Sequence, residues 1–255
     1  MLVLAWPGAL VIGLSLGMLG SGGSIVTVPV LVYLIGQPEK LAIAGSLAIV
    51  GIIASAASLP YVRDKLVDWR TVLLFGVPGM IGTYFGAWSA AFVSGAVQLT
   101  VFAVVMLAAS YFMLNPRDLS DTPGAPRSIG KITTDGLLVG ALTGFVGVGG
   151  GFLIVPALVL LGGLTMHAAV ATSLVIITLK SAAGFVKYLD VLEAEQLQLD
   201  WSIITMVAGI GIAGSLIGSR WGCRMPQDKL QTWFGYFLIA MGLFIFFSTV
   251  PDVIA

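Results

Sequence analysis

The sequence predicts an all-α polytopic membrane protein built from two inverted-topology repeats. The first observation is composition: 58% of the 255 residues are apolar, and 9% are charged, against about 25% in soluble domains. The second is a series of apolar segments of membrane-spanning length, and the third is that the second half of the chain repeats the first. The high apolar and low charged fractions exclude a soluble globular enzyme and a disordered chain. A net charge of zero excludes a nucleic-acid-binding protein, because it leaves no basic excess to neutralise phosphates.

Ten apolar segments account for most of the chain. Their approximate bounds are 3–20, 24–35, 41–59, 71–91, 96–114, 132–148, 151–162, 167–188, 201–220 and 229–249. A bilayer core requires about 20 apolar residues in a helix, and backbone groups in lipid must be satisfied within the segment. Segments 24–35 and 151–162 are too short and follow glycine clusters. We interpret these two as half-helices, so that eight to ten segments enter or cross the membrane.

An internal repeat appears when the chain is shifted by 127 residues, or by 132 after a short insertion. The two glycine clusters, Gly20-Ser-Gly-Gly and Gly147-Val-Gly-Gly, then coincide, and so do Pro29 and Pro156. Later in each half, Asp68-Trp coincides with Asp200-Trp. We infer a duplication, with a first repeat over 1–114, a cytoplasmic linker over 115–131 and a second repeat over 132–255.

The distribution of basic residues predicts the topology. Each half holds five segments, and this odd number requires the second half to insert upside down. With both termini outside, nine basic residues lie in or beside inside loops, and Lys40 and Lys187 lie outside. The nine are Arg63, Lys65, Arg70, Arg117, Arg127, Lys131, Arg220, Arg224 and Lys229. This bias agrees with the positive-inside rule.

The glycine clusters predict an anion-binding site. A broken helix exposes N–H groups and about half a positive charge at its amino end. Inverted symmetry would bring the starts of the two half-helices together. We therefore expect six residues to offer N–H groups to a ligand: Gly22, Gly23, Ser24, Gly149, Gly150 and Gly151. The alternative is helix packing, which we prefer for the pairs Gly13/Gly17, Gly82/Gly86, Gly140/Gly144 and Gly214/Gly218.

Three hydroxyls and one cation complete the predicted site. Ser46 and Ser173 are repeat mates, and Thr172 precedes the second of them. Their hydroxyls would either bind the anion or bond back to their own helix. Lys180 lies within an apolar segment, where a charge indicates function by default. The alternative is snorkelling, because the outer end of its predicted helix is about 10 Å away.

These residues resemble the sulfite exporter TauE/SafE family of membrane transporters. The resemblance is carried by Gly20-Ser-Gly-Gly-Ser…Pro29, by Gly147-Val-Gly-Gly-Gly…Pro156 and by Ala171-Thr-Ser-Leu-Val, and it covers nearly the whole chain. It implies transport of sulfur-containing oxyanions and organosulfonates, often outward, and it leaves the substrate open.

We therefore expect a secondary transporter in the cell membrane that moves a small sulfur-containing anion, such as sulfite, thiosulfate or an organosulfonate, outward by alternating access. An inside-negative potential drives such export, since one charge crossing 100 mV gains about 2.3 kcal/mol. Ion-coupled uptake and an anion channel are the alternatives. We expect no enzymatic activity, cofactor or metal. The expected partners are the anion and the lipid bilayer, with a homodimer allowed by small residues on many helices.

Overall fold

The computed structural model describes residues 2–115, 129–146 and 151–254, and every regular element in these ranges is helical. The ten helical segments are α1 (Leu2–Leu19), α2 (Gly22–Leu34), α3 (Glu39–Arg63), α4 (Trp69–Ala90), α5 (Gly95–Leu114), α6 (Ile129–Val146), α7 (151–161), α8 (Met166–Ala194), α9 (Trp201–Gly222) and α10 (Gln227–Ile254). Six of them, α3, α4, α5, α8, α9 and α10, are long and apolar enough to cross a membrane. The prediction of an all-α polytopic membrane protein is confirmed.

The two short helices, α2 and α7, share an internal irregularity. Each begins as an α-helix, reaches a proline (Pro29 or Pro156) and continues as a π turn, Val30–Leu34 or Ala157–Leu161. Proline has no N–H to donate, and its ring crowds the carbonyl four residues earlier. The wider π turn relieves this crowding. The paired prolines of the sequence therefore produce the same backbone irregularity in both halves.

Two aspartates fix the starts of α4 and α9. The Asp68 and Asp200 side chains each accept hydrogen bonds from two backbone N–H groups in the first turn of the helix that follows. Such a cap satisfies donors that a helix end leaves without partners. The repeated Asp-Trp pair of the sequence is thus a pair of equivalent helix starts.

Glycines bring two pairs of parallel helices into backbone contact. On α1, a Cβ added to Gly13 would overlap the carbonyl of Gly211 on α9, and one added to Gly17 would overlap that of Ser215. On α6, a Cβ added to Gly140 would overlap the backbone of Gly79 on α4. The remaining predicted packing glycines meet backbone in the same way: Gly82, Gly86, Gly144, Gly214 and Gly218. The packing interpretation of the four glycine pairs is confirmed.

Helices α3 and α8 form the centre of the bundle and are antiparallel. They have the largest buried share of the six candidate spans. A Cβ on Gly51 of α3 would lie 3.2 Å from Ser181 of α8, whereas further along α8 a Cβ on Gly184 would lie 3.4 Å from Leu47. Helices α5 and α10 are paired as well. Helices α1 to α5 correspond in order to α6 to α10. When each helix is replaced by its counterpart, the pair α1–α9 becomes the pair α6–α4, and the pairs α3–α8 and α5–α10 are unchanged.

Candidate functional site

The beginnings of the two short helices are in contact at the centre of the bundle. A Cβ added to Gly151, the first described residue of α7, would lie 2.7 Å from Ser24 Oγ and 3.1 Å from Ser21 Cα on the α2 side. Gly149 and Gly150, which we predicted beside Gly151, lie outside the described residues. The described part of the site therefore joins one end of α2 to one end of α7.

The glycines of the first cluster are required by the fold itself, apart from any ligand. Gly20 has a φ of +71°, and a Cβ there would lie 2.8 Å from Ser173 Oγ. Both the left-handed backbone and the close approach require glycine. Gly22 and Gly23 pack against α1, where a Cβ on Gly22 would lie 2.9 Å from the Cβ of Ser15. The glycines therefore turn the chain and seat α2 on α1, whether or not their N–H groups also bind a ligand.

Ser21 is a candidate residue that the sequence analysis missed. It lies immediately before α2, its side chain is fully buried, and its Oγ has no hydrogen-bond partner among the described residues. A serine at this position usually accepts a bond from an N–H of the first turn, but Ser21 makes no such bond. Buried polar atoms are normally paired. The sequence feature that indicates Ser21 is its position between two glycines, in a cluster that is predicted to expose backbone N–H donors.

The serines that we predicted as ligands bond to the backbone. Ser24 directs its N–H (3.2 Å) and its Oγ (2.6 Å) to the carbonyl of Ser21. Ser46 and Ser173 each donate to the carbonyl three residues earlier, at 2.8 Å. Ser173 Oγ also lies 3.1 Å from the carbonyl oxygen of Gly20 and so ties α8 to the turn before α2. The back-bonding alternative is therefore present in Ser46 and Ser173. A serine hydroxyl that donates to a carbonyl can still accept a hydrogen bond.

Thr172 holds a loop. Its Oγ1 accepts a hydrogen bond of 3.0 Å from the backbone N–H of Asp68, in the connection between α3 and α4. Thr172 is fully buried and adjacent to Ser173. This contact links the cap of α4 to the helix that carries the other site residues.

Lys180 is the central residue of α8. The helix extends 14 residues from it in each direction, or about 21 Å. Its side chain is fully buried, and its Nζ has no hydrogen-bond partner among the described residues. The ring of Phe75 lies 4.9 Å from this Nζ. Snorkelling is contradicted, because α8 continues beyond the end predicted from the sequence and the ammonium is enclosed.

The slot that holds Lys180, between α4 and α8, recurs between α9 and α3 with an apolar occupant. A Cβ added to Gly79 would overlap the Lys180 side chain and lie 2.8 Å from its Nζ. In the equivalent place, a Cβ added to Gly211 would overlap Ile53, the repeat mate of Lys180. The slot therefore accepts an aliphatic side chain, and packing alone does not require a charge at Lys180.

Helix α8 connects the cluster at the short helices to Lys180. Ile177 lies between Ser173 and Lys180 on the same face of α8, and its Cδ1 lies 2.8 Å from a Cβ added to Gly151. Ser173, the helix starts and Lys180 thus follow one another over about 10 Å of α8. The structure brings these predicted site residues into one region of the bundle.

A bundle of apolar helices is typical of a multi-pass membrane transporter when short helices meet inside it beside buried hydroxyls and a cation that has no hydrogen-bond partner among the described residues. Residues 5–245 match the sequence profile of the family "Sulfite exporter TauE/SafE", and the chain belongs to this family. The resemblance seen in the glycine and proline motifs is confirmed.

Several relatives support the same class. A "Probable membrane transporter protein" of Xylella fastidiosa is 29% identical over 96% of this chain and 94% of its own length. The "Probable membrane transporter protein YunE" of Bacillus subtilis is 32% identical over 87% of this chain and 88% of its own length. A relative from Methanocaldococcus jannaschii is 25% identical over 73% of each chain. No solved structure matches the chain.

Proposed function

We propose that this protein is a secondary transporter that exports a small sulfur-containing anion, such as sulfite, thiosulfate or an organosulfonate, across the cell membrane by alternating access. The observation that carries the proposal is Lys180, a fully buried cation without a hydrogen-bonding or ionic partner among the described residues. An unpaired buried charge costs several kcal/mol, and a protein retains one where a ligand supplies the missing charge. The family name, which refers to sulfite export, supports the substrate class.

The proposed binding site lies where α2, α7, α3 and α8 meet. Its members are Gly22, Gly23, Ser24, Ser46, Gly149, Gly150, Gly151, Thr172, Ser173 and Lys180, together with Ser21. The start of α2 supplies a partial positive charge and N–H donors. The Ser21 hydroxyl, which has no hydrogen-bond partner in the part of the chain that the structure describes, supports a ligand at this helix start. Lys180 supplies the full positive charge about two helical turns away.

Alternating access is supported by the burial of the site. The side chains of Ser21, Ser24, Ser46, Ser173 and Lys180 are all fully buried. An anion reaches them only when helices move apart, which favours a gated carrier over an open channel. The glycine contacts between α1 and α9 and between α4 and α6 provide smooth helix surfaces on which the two halves can rock.

We propose further that residues 1–114 and 132–255 are inverted repeats joined by the linker 115–131. Three observations support this. Helices α1 and α6 begin 127 positions apart, and α4 and α9 begin 132 positions apart. The helix pairs exchange when the halves exchange. The equivalent helices α3 and α8 are antiparallel, as a two-fold axis in the membrane plane requires.

The orientation that we propose places both termini outside the cell. It rests on the bias of basic residues toward the connections between α3 and α4, between α5 and α6 and between α9 and α10, according to the positive-inside rule. An inside-negative potential then favours export of the anion. A homodimer also stays a prediction, and it would have to use surfaces other than the glycines that pack within the chain.

A binding panel on the purified protein tests the proposal. The anions are sulfite, thiosulfate, sulfate, taurine and sulfoacetate, and the readout is a rise in thermal stability that grows with the logarithm of anion concentration above Kd, as ligand linkage requires. We expect Ser21→Ala to weaken binding of the active anion by about 10-fold, the equivalent of a lost hydrogen bond to a charged group. Ser55→Ala is the matched control, because the exposed Ser55 hydroxyl donates to the carbonyl of Ile52 in its own helix. Absence of binding by every anion would refute the substrate class.

Transport in proteoliposomes separates the mechanisms. A carrier shows saturation and counterflow of labelled anion, whereas a channel shows neither. Accumulation inside that requires a proton or Na⁺ gradient would contradict export driven by the membrane potential and would favour coupled uptake. Anion flux that follows an imposed voltage without either gradient is the expected result.

A further inference from the structure

Helices α4 and α9 occupy equivalent places but differ in backbone at the level of Lys180. Helix α4 contains a π turn over Val72–Gly76, whereas the equivalent stretch of α9, residues 204–208, is regular α-helix. The local cause is Pro78, whose equivalent in α9 is Ile210. Proline removes an N–H and crowds the carbonyl four residues earlier, which favours a wider turn. Single π turns occur often at functional sites.

The residue that this π turn carries toward Lys180 is Phe75. Its side chain is 3% exposed, and its ring centroid lies 4.9 Å from the ammonium of Lys180. Its equivalent in α9 is Val207, on the helix whose Gly211 contacts Ile53, the repeat mate of Lys180. The cation, the aromatic ring and the π turn thus occur together where α4 packs on α8, and all three are replaced where α9 packs on α3.

An aromatic ring gives a buried ammonium partial compensation. The negative face of the ring attracts a desolvated cation by an amount equivalent to about 30-fold in a binding constant. This is the electrostatic contact that the structure provides to Lys180, which has no hydrogen-bond partner in the described ranges. A ring and an anion that approach the same ammonium compete for it.

We propose that Phe75 is a positioning residue that holds the Lys180 ammonium against its ring, and that a bound anion draws the ammonium away from the ring. The inference rests on the proposed function, because it takes Lys180 as an anion ligand. It adds that the empty site is stabilised by Phe75 and that anion affinity is lowered by the competing ring.

The test compares anion affinity in Phe75→Leu with that in the parent protein. Leucine keeps an apolar side chain and removes the ring, so we expect affinity to rise by about 3- to 30-fold, the upper value being the full cation–π contribution. Pentafluorophenylalanine at position 75 keeps the shape, removes the negative ring face and should act in the same direction. Val207→Leu, at the equivalent place in the other half, is the control and should leave affinity unchanged.

The Lys180→Met background distinguishes positioning from packing. If Phe75 acts through Lys180, Phe75→Leu changes affinity only when Lys180 is present. Equal changes in both backgrounds, or a lower affinity in Phe75→Leu, would overturn the inference.

A measurement without any anion tests the contact between Phe75 and Lys180 independently of the proposed transport function. In thermal unfolding, Phe75→Leu should destabilise the protein more with Lys180 present than with Lys180→Met, because the ring attracts a buried ammonium more strongly than it attracts a thioether. Zero coupling between the two positions would overturn the positioning role. If Phe75 and Lys180 are coupled in unfolding but the parent protein binds none of the anions, the contact between the two residues stands and the proposed transport of the tested anions is refuted.

Discussion

Replacement of Lys180 by methionine separates charge from shape at the centre of α8. Methionine is about as long as lysine, adapts to irregular spaces and carries no charge. The slot over Gly79 should accept it, because the equivalent slot over Gly211 already holds Ile53. The substitution therefore removes the charge while it keeps the packing of α8 on α4.

Two opposite effects are expected. Stability should rise by about 1–3 kcal/mol, because an uncompensated buried charge costs about 3–5 kcal/mol and the contact with Phe75 offsets at most about 2 kcal/mol of this cost. Anion affinity should fall by about 10- to 150-fold, which corresponds to the 1.5–3 kcal/mol of a hydrogen bond to a charged group. Replacing a lysine with a purely structural role would not produce this combination of higher stability and lower anion affinity.

The assay is thermal unfolding of the purified protein with and without the active anion. Ile53→Met is the matched control, since it makes the same new side chain in the equivalent slot, and a swap of this size costs under about 1.5 kcal/mol. A loss of stability in Lys180→Met would show that the ammonium has a stabilising partner besides Phe75. An unchanged anion affinity would show that Lys180 does not contact the substrate.

Two further predictions concern packing and topology. Gly17→Ala should destabilise the protein by several kcal/mol and reduce the folded yield, because the new Cβ would overlap the Ser215 backbone. The control is Gly209→Ala, whose Cβ would meet no atom within 4 Å, and it should be neutral or stabilising by up to about 1 kcal/mol. Equal folded yields of the two variants would contradict the packing of α1 on α9. The exposed Cys223 should react with a membrane-impermeant maleimide in inside-out vesicles and not in intact spheroplasts, with Cys223→Ser as the unlabelled control. Labelling in spheroplasts would reverse the proposed orientation.

Most of the fold could be predicted from the sequence because membrane helices follow local rules. Apolar segments of span length, the prolines of the short helices and the capping aspartates Asp68 and Asp200 all act within a few residues. The helix-packing glycines could be recognised by their spacing of four, which places them on one face. None of these predictions required knowledge of which helices are neighbours.

The candidate site was predicted only in part. Composition ends the predicted segment at residue 188, where polar residues follow, whereas the helix continues to Ala194 and places Lys180 deeper than the sequence indicates. Ser21 was overlooked because its significance depends on what its hydroxyl lacks, and unpaired atoms cannot be counted without neighbours. Phe75 resembled any apolar residue of a span until its ring was located beside a cation.

The sequence by itself determined the membrane class, the ten helical segments and the family, since these depend on composition, period and motif. Only the tertiary structure decided that Lys180 is enclosed without a hydrogen-bonding partner in the described ranges, that Ser21 meets Gly151, and that Phe75 faces the ammonium. The physical reason is that a charge, a hydroxyl or a ring acquires its free energy from the atoms around it. Those atoms come from helices that are far apart in the chain.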